Sequence, residues 1–191
     1  MLQNDGTSYY IQCTAASNQY LVRSSNTVET RTQSMVGVAA HKVDDSSTAT
    51  IYARQHPSSG LPGRYQFTST ISLFGGLYSG FYECPTVSPE VWTSSASLNK
   101  AVGSQTMDRV AGSMLVRRLE GAFAPVTASV AIPVDSSDLT CDLPFTVGGY
   151  DNGAGQPMSG RIYGIIIRFT NTVDTTARDN TETWMKTKYG T

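Results

Sequence analysis

The chain has 191 residues, 39% hydrophobic and 15% charged, with a formal net charge of −1. At that length one core buries roughly 70% of the unfolded surface, so a single domain over residues 1–191 is expected. A near-neutral chain without a basic stripe or tail carries no electrostatic footprint for nucleic acid or an anionic membrane, and no apolar run approaches the ~20 residues that span a bilayer.

The opening MLQNDGTSYY lacks the basic start and apolar centre of a secretory signal. Short strand candidates then follow one another, with turn residues between them: Ser8–Gln12, Gln19–Arg23, Ser34–Ala40, Thr48–Arg54, Arg64–Ser69 and Gly80–Cys84. In GRYQFTS, Tyr65 and Phe67 alternate with Arg64, Gln66 and Thr68, the pattern of a half-buried antiparallel strand. Thr86 to Gly112 is the longest irregular stretch, read as a loop with a short helical turn begun by Ser88-Pro89-Glu90. Strands resume at Ser113–Leu119, Ala122–Ala131 and Phe145–Val147. Glu120-Gly121 separates two apolar segments as a tight hairpin would, and Pro125 demotes part of the next strand to an edge or a bulge.

Arg161 to Phe169 collects Ile162, Tyr163, Ile165, Ile166, Ile167 and Phe169, a β-branched and aromatic run that predicts a strand buried on both faces. After Asn171 the period changes. Asp174 is placed to cap a helix, and Ala177, Thr181, Trp184, Met185 and Lys188 recur at spacings of three and four before Gly190 ends it. This helix, about 174–189, is polar except for a narrow stripe centred on Trp184 and Met185, which are expected to dock it on the rest of the fold. Many short strands punctuated by turns predict an all-β sandwich or barrel with this one helix added.

Three cysteines, Cys13, Cys84 and Cys141, are far apart and odd in number. They are read as reduced thiols of a protein made in the cytoplasm, with one pair left open to meet in the fold. Gly-x-Ser-x-Gly is absent, and His41 and His56 are remote from any nucleophile motif; His56, before Pro57, is read as a surface residue. Asp135, Asp138 and Asp142 offer oxygen ligands at loop spacing, but the spacing matches no calcium loop and a polar turn is the preferred reading. YDNGAGQ lacks the spacing of a phosphate cradle. No metal and no cofactor is expected. The sharper candidate is a sugar site, since sugars are gripped by aromatic faces with amide or carboxylate partners. Trp92, in the long loop, and Tyr150, Asp151 and Asn152, in another, are the ligand-binding candidates, set against a background in which most of the 10 tyrosines serve packing.

A resemblance becomes visible on these residues. PFTVGGYDNGAGQPMSGRIYGIIIRFTNT looks like the closing strands of concanavalin A-like (laminin-G-like) jelly rolls, where a Gly-Gly turn follows one strand and a Gly-Arg-Ile-Tyr-Gly strand returns along the sheet. NDGTSYYIQ and SMVGVAAHKVDDSSTATIYA resemble the early strands of that fold. The ending TETWMKTKYGT resembles the terminus of a branch found among tailed-bacteriophage structural proteins. The resemblance implies an antiparallel β-sandwich with a C-terminal α-helix packed on it. Laminarinase-type members of the superfamily carry Glu-x-Asp-x-x-Glu on one strand. None of Glu29, Glu83, Glu90, Glu120 and Glu182 has an aspartate two residues on.

The expected function is therefore that of a non-enzymatic virion structural protein, a decoration or accessory docked on capsid, collar or tail. It would be assembled in the host cytoplasm and partnered by other virion proteins. The alternative is a tail-fibre adhesin for a host surface glycan; a glycoside hydrolase of the same fold ranks behind both. A homo-oligomer is expected, a trimer foremost. Met1 stands close to the first strand motif, leaving no stalk within the chain, and this tips the expectation toward the docked accessory.

Overall fold

A computed structural model describes residues 2–4, 6, 8–14, 21–22, 29–31, 34–44, 49–54, 64–70, 76–82, 90–92, 99–122, 124–132, 134, 139–141, 145–149 and 157–190, with the backbone alone for 22, 29–31, 49, 54, 64–70, 76–82, 90–92 and 139–141. The strands are β1 (Leu2–Asn4), β2 (Tyr9–Cys13), β3 (Leu21–Val22), β4 (Glu29–Arg31), β5 (Ser34–Val43), β6 (Ala49–Arg54), β7 (Arg64–Thr70), β8 (Gly76–Tyr82), β9 (Glu90–Trp92), β10 (Ala101–Asp108), β11 (Ser113–Leu119), β12 (Val126–Ala131), β13 (Leu139–Cys141), β14 (Thr146–Val147) and β15 (Gly160–Thr170). The helix α1 spans Thr175–Tyr189.

Among the described residues, one antiparallel sheet runs β1-β2-β15-β5-β10-β11-β12 and a second runs β3-β14-β6-β7-β8-β9, with β13-β4 as a separate pair. Neighbours distant in sequence, such as β2, β15 and β5, are the mark of a jelly-roll sandwich rather than a meander. Met35, Ala39, Met107, Met114, Val116 and Ile162 of the first sheet meet Ile51, Tyr52 and Val147 of the second in a buried inner core. Alternate residues of the first sheet point the other way. Val36, Val38, Ala40, Val102, Leu119 and Tyr163 form an outer core beneath α1. The first sheet is thus covered on both faces at its centre.

This double burial corrects the reading of Thr86–Gly112 as a loop. The stretch holds β9, and β10, whose residues Ala101 to Met107 are all buried. The sequence AVGSQTMD reads as polar because Ser104 and Gln105 are buried polar residues with built-in partners. Gln105 faces inward and accepts a hydrogen bond from the Tyr52 hydroxyl at 3.1 Å; Ser104 faces outward and donates to Glu182 Oε1 at 2.5 Å. Gly37, opposite Gln105 on β5, makes room for the tyrosine: a Cβ there would lie 1.9 Å from its hydroxyl oxygen. The hairpin β11–β12 is wider than the tight turn expected at Glu120-Gly121, closing on the pair Arg118↔Val126 because Pro125 delays the second strand. β15 is less enclosed than its composition suggests, being half-buried from Gly164 onward.

Helix α1 starts and stops where the sequence signals it. The Asp174 carboxylate accepts from the Ala177 amide at 2.8 Å, and Gly190 takes the left-handed conformation (φ 65°), its amide donating to the Lys186 carbonyl. The docking stripe is different. Thr181, Glu182 and Met185 are the buried residues of the helix, whereas Trp184 is 48% exposed. Trp184 therefore does not anchor α1. Met185, 1% exposed, fills the outer core, and polar ties do the rest. Glu182 meets Ser104 and Arg117, Arg117 also pairs with Asp179, and Lys100 donates to the Tyr189 carbonyl at 2.8 Å.

Two outcomes follow for stability. Met185→Ala should cost about 2–5 kcal/mol in chemical denaturation, and Trp184→Ala no more than about 1.5 kcal/mol. Gly37→Ala should cost about 1–3 kcal/mol through overpacking against Tyr52. Combined with Tyr52→Phe, it should cost less than the two single losses summed, because both changes act on one contact.

Candidate functional site

Where α1 crosses toward β15 the two elements leave a groove of about 440 Å³, lined by Ile166, Arg168, Ala177, Asn180, Thr181 and Trp184. The lining follows from periodicity: Ala177, Asn180, Thr181 and Trp184 share one helix flank at spacings of three and four. Ile166 and Arg168 lie two apart on one face of the strand. Arg168 is fixed in place. Its guanidinium donates to the Ala177 carbonyl at 3.2 Å and to the Thr181 hydroxyl, which itself donates to that carbonyl at 2.7 Å. Asn180 presents an exposed amide.

The half-exposed indole of Trp184 closes one end. It is held edge-on to Tyr189 at a centroid distance of 6.3 Å, with the Lys188 ammonium 4.7 Å from the indole centroid. The row of rings continues from Tyr189 to Tyr163 (6.0 Å) and on to Tyr10 (5.6 Å), with the Lys100 ammonium over Tyr163 at 4.2 Å and the Arg161 guanidinium over Tyr10 at 5.1 Å. An aromatic face beside a guanidinium, an amide and a hydroxyl is the combination that grips a sugar ring through its C–H face and its hydroxyls.

The other flank of α1 has different electrostatics. Glu182 lies 3.4 Å from Arg117 and 3.8 Å from Arg178. Burial pushes its carboxyl above the ordinary glutamate range, against the Ser104 hydrogen bond and the two guanidinium groups, which pull it down. The arrangement holds the helix.

The sequence candidates fall elsewhere. Trp92 is not in a long loop but on β9, the edge of the second sheet, paired with Tyr78. Tyr150, Asp151 and Asn152 lie outside the described residues, as do Asp135, Asp138, Asp142, His56 and Cys84. The strand leading to Tyr150, β14, is separated from β9 by β6, β7 and β8, roughly 19 Å at ordinary strand spacing. Trp184 was singled out for docking and proves to line the groove. Of the groove's other polar residues, Thr181 belongs to the sequence-predicted stripe, and Arg168 and Asn180 do not. The available signal was a lone arginine inside the apolar run IIIRFT and a tryptophan on an otherwise polar helix.

His41 is sealed in the interior, its Nδ1 3.4 Å from the Ala39 carbonyl. Cys13 is a free buried thiol, pushed up by burial. Glu120 is held by Arg118 at 3.2 Å and accepts from Asn99 at 2.6 Å. No group of histidine, cysteine and carboxylate side chains suited to a metal occurs among the described residues. A second cavity, of about 270 Å³, opens at the flank of the sandwich, where Leu2, Tyr9 and Leu21 are exposed over Ile11, Val147 and Ile162.

No family model matches the chain, and no curated protein matches it in sequence. Solved structures do match its fold. The CBM40 of the Ruminococcus gnavus IT-sialidase aligns with a TM-score of 0.55 at 9% identity, over 78% of this chain and 83% of that one. The heptameric SAP-like pentraxin of Limulus polyphemus aligns at 0.57 and 10% identity, over 86% and 71%. Domains LG4-5 of the mouse laminin alpha1 chain align at 0.57 and 5% identity, over 84% and 41%. The chain is similar to these in architecture, the concanavalin A-like jelly roll.

The buried histidine makes stability depend on pH. Burial, and then the charge of Arg118, lower His41 from 6.5 to about 3, against the Ala39 hydrogen bond. The unfolded chain takes up this proton below pH 6.5 and the folded chain only near pH 3, so the contribution is complete above pH 6.5 and is lost as pH falls toward 3. The unfolding free energy of the native chain should fall relative to that of His41→Leu across this window, by at most about 1.4 kcal/mol per pH unit. Parallel curves would contradict the assignment.

Proposed function

We propose that this chain is a non-enzymatic, lectin-like recognition domain that holds a glycan in the groove under Trp184. One observation carries the reading: a half-exposed tryptophan stands at the end of a groove whose other polar groups are a fixed guanidinium, an amide and a hydroxyl. The jelly-roll architecture is compatible with this role but does not by itself assign it. The described glutamates with partners, Glu120 and Glu182, are committed to arginines that hold the fold, which supports binding rather than hydrolysis. The setting we infer is the particle of a tailed bacteriophage, on the resemblance of TETWMKTKYGT. There the domain would act as an adhesin for a host surface glycan.

A second reading, the accessory docked on capsid, collar or tail, draws on a different observation, the apolar flank of Leu2, Tyr9 and Leu21. A docked contact needs upwards of ~1,000 Å² of buried surface with an apolar centre, and this flank would supply such a centre. The two readings separate in one experiment. Trp184→Ala with Asn180→Ala should abolish adsorption of particles to host cells and leave incorporation intact. Tyr9→Ser with Leu21→Ser should lower incorporation if the domain is docked through that flank. Adsorption unchanged by the groove substitutions would refute the adhesin.

A further inference from the structure

Resting on the glycan reading of the groove, we infer that its ligand is an acidic sugar, with the carboxylate on Arg168 and the apolar face of the ring against Trp184. The charges around α1 are sorted by flank. Asp179 and Glu182 face β11 and pair with Arg117 and Arg178. On the flank toward β15, Arg168 is the one charged residue lining the groove among the described residues. Its ties are to a carbonyl and a hydroxyl, both neutral, and no carboxylate partners it among the described residues. Lys188, four residues on from Trp184 in the last turn of α1, likewise has no carboxylate partner among the described residues.

A neutral sugar would leave this concentration of positive charge uncompensated; a carboxylate would complete it. The geometry also favours a planar acid. Two hydrogen bonds hold the guanidinium plane, so little side-chain freedom remains to be lost, and its remaining N–H groups form the fork that matches a carboxylate. Charge-assisted bonds of this kind discriminate by roughly tenfold or more. Lys188 lies over the indole at 4.7 Å, bringing a second cation to the same end of the groove.

The test uses the full chain and tryptophan fluorescence or calorimetric titration. The acidic probes are trigalacturonate, alginate and hyaluronan oligosaccharides. The neutral probes are the methyl ester of trigalacturonate and oligosaccharides of galactan, mannan and dextran. At least one acidic probe should bind, about tenfold or more tighter than its neutral counterpart, and weaken as salt rises. Arg168→Gln should weaken the acidic probe by more than its neutral counterpart and so remove most of that preference, and Arg168→Lys should restore part of it. The lysine variant guards against a helix loosened by loss of the Ala177 and Thr181 bonds, which circular dichroism would register. Neutral probes binding as tightly as acidic ones, with Arg168→Gln silent, would overturn the acidic inference and leave the glycan reading standing. Binding by no probe of either kind would overturn both.

Discussion

Ser104 and Gln105 are adjacent in sequence and point to opposite sides of the same strand, and each is hydrogen-bonded to a different layer of the protein. Gln105 receives the Tyr52 hydroxyl from the facing sheet; Ser104 donates to Glu182 on the helix above. A polar pair inside a strand buried on both faces would cost several kcal/mol if unsatisfied. Its satisfaction requires the second sheet and the helix to be in register with β10 at the same time. Layer spacing, the glycine at position 37 and the rotation of α1 about its axis are all tied to this one pair.

The helix is therefore part of the core and not an appendage. It covers an outer face that would otherwise expose Val36, Val38, Ala40 and Val102. Its contact is partly apolar, through Met185, and partly ionic, through Glu182 and Asp179 with Arg117. The ionic ties fall on the side toward β11, whereas toward β15 the helix is held by Arg168 through Ala177 and Thr181, and the groove lies beside that contact. The rotation that seats Glu182 on Ser104 is the same rotation that turns Trp184 outward.

The candidate site consequently depends on the helix as much as on the jelly roll. The sandwich supplies Ile166 and Arg168; α1 supplies the tryptophan, the amide and the hydroxyl. Architecture shared with sugar-recognising proteins and with others besides does not decide chemistry, since one fold carries many functions. What points to a ligand here is a particular set of side chains placed where two elements diverge.

Local patterns in the sequence determined much of this structure. Turn residues bounding short runs marked β2, β5, β6, β7, β11 and β14 to within a few residues, because turns and strand propensity are written in neighbouring residues. Asp174 and Gly190 set the helix ends, since capping involves backbone groups only a few residues away. Three things had to wait for tertiary structure. β10 was hidden because its burial is satisfied by Tyr52 and Glu182, partners 53 and 78 residues distant. Trp184 and Met185 are neighbours on one helix, and only the rotation imposed by Ser104 and Arg117 decides that the methionine is buried while the tryptophan faces the groove. Arg168 and Trp184 come to line one groove because α1 folds back over the sheet beside β15. A sequence states which residues are amphipathic, but which of them meet is fixed by contacts that close only when the layers assemble.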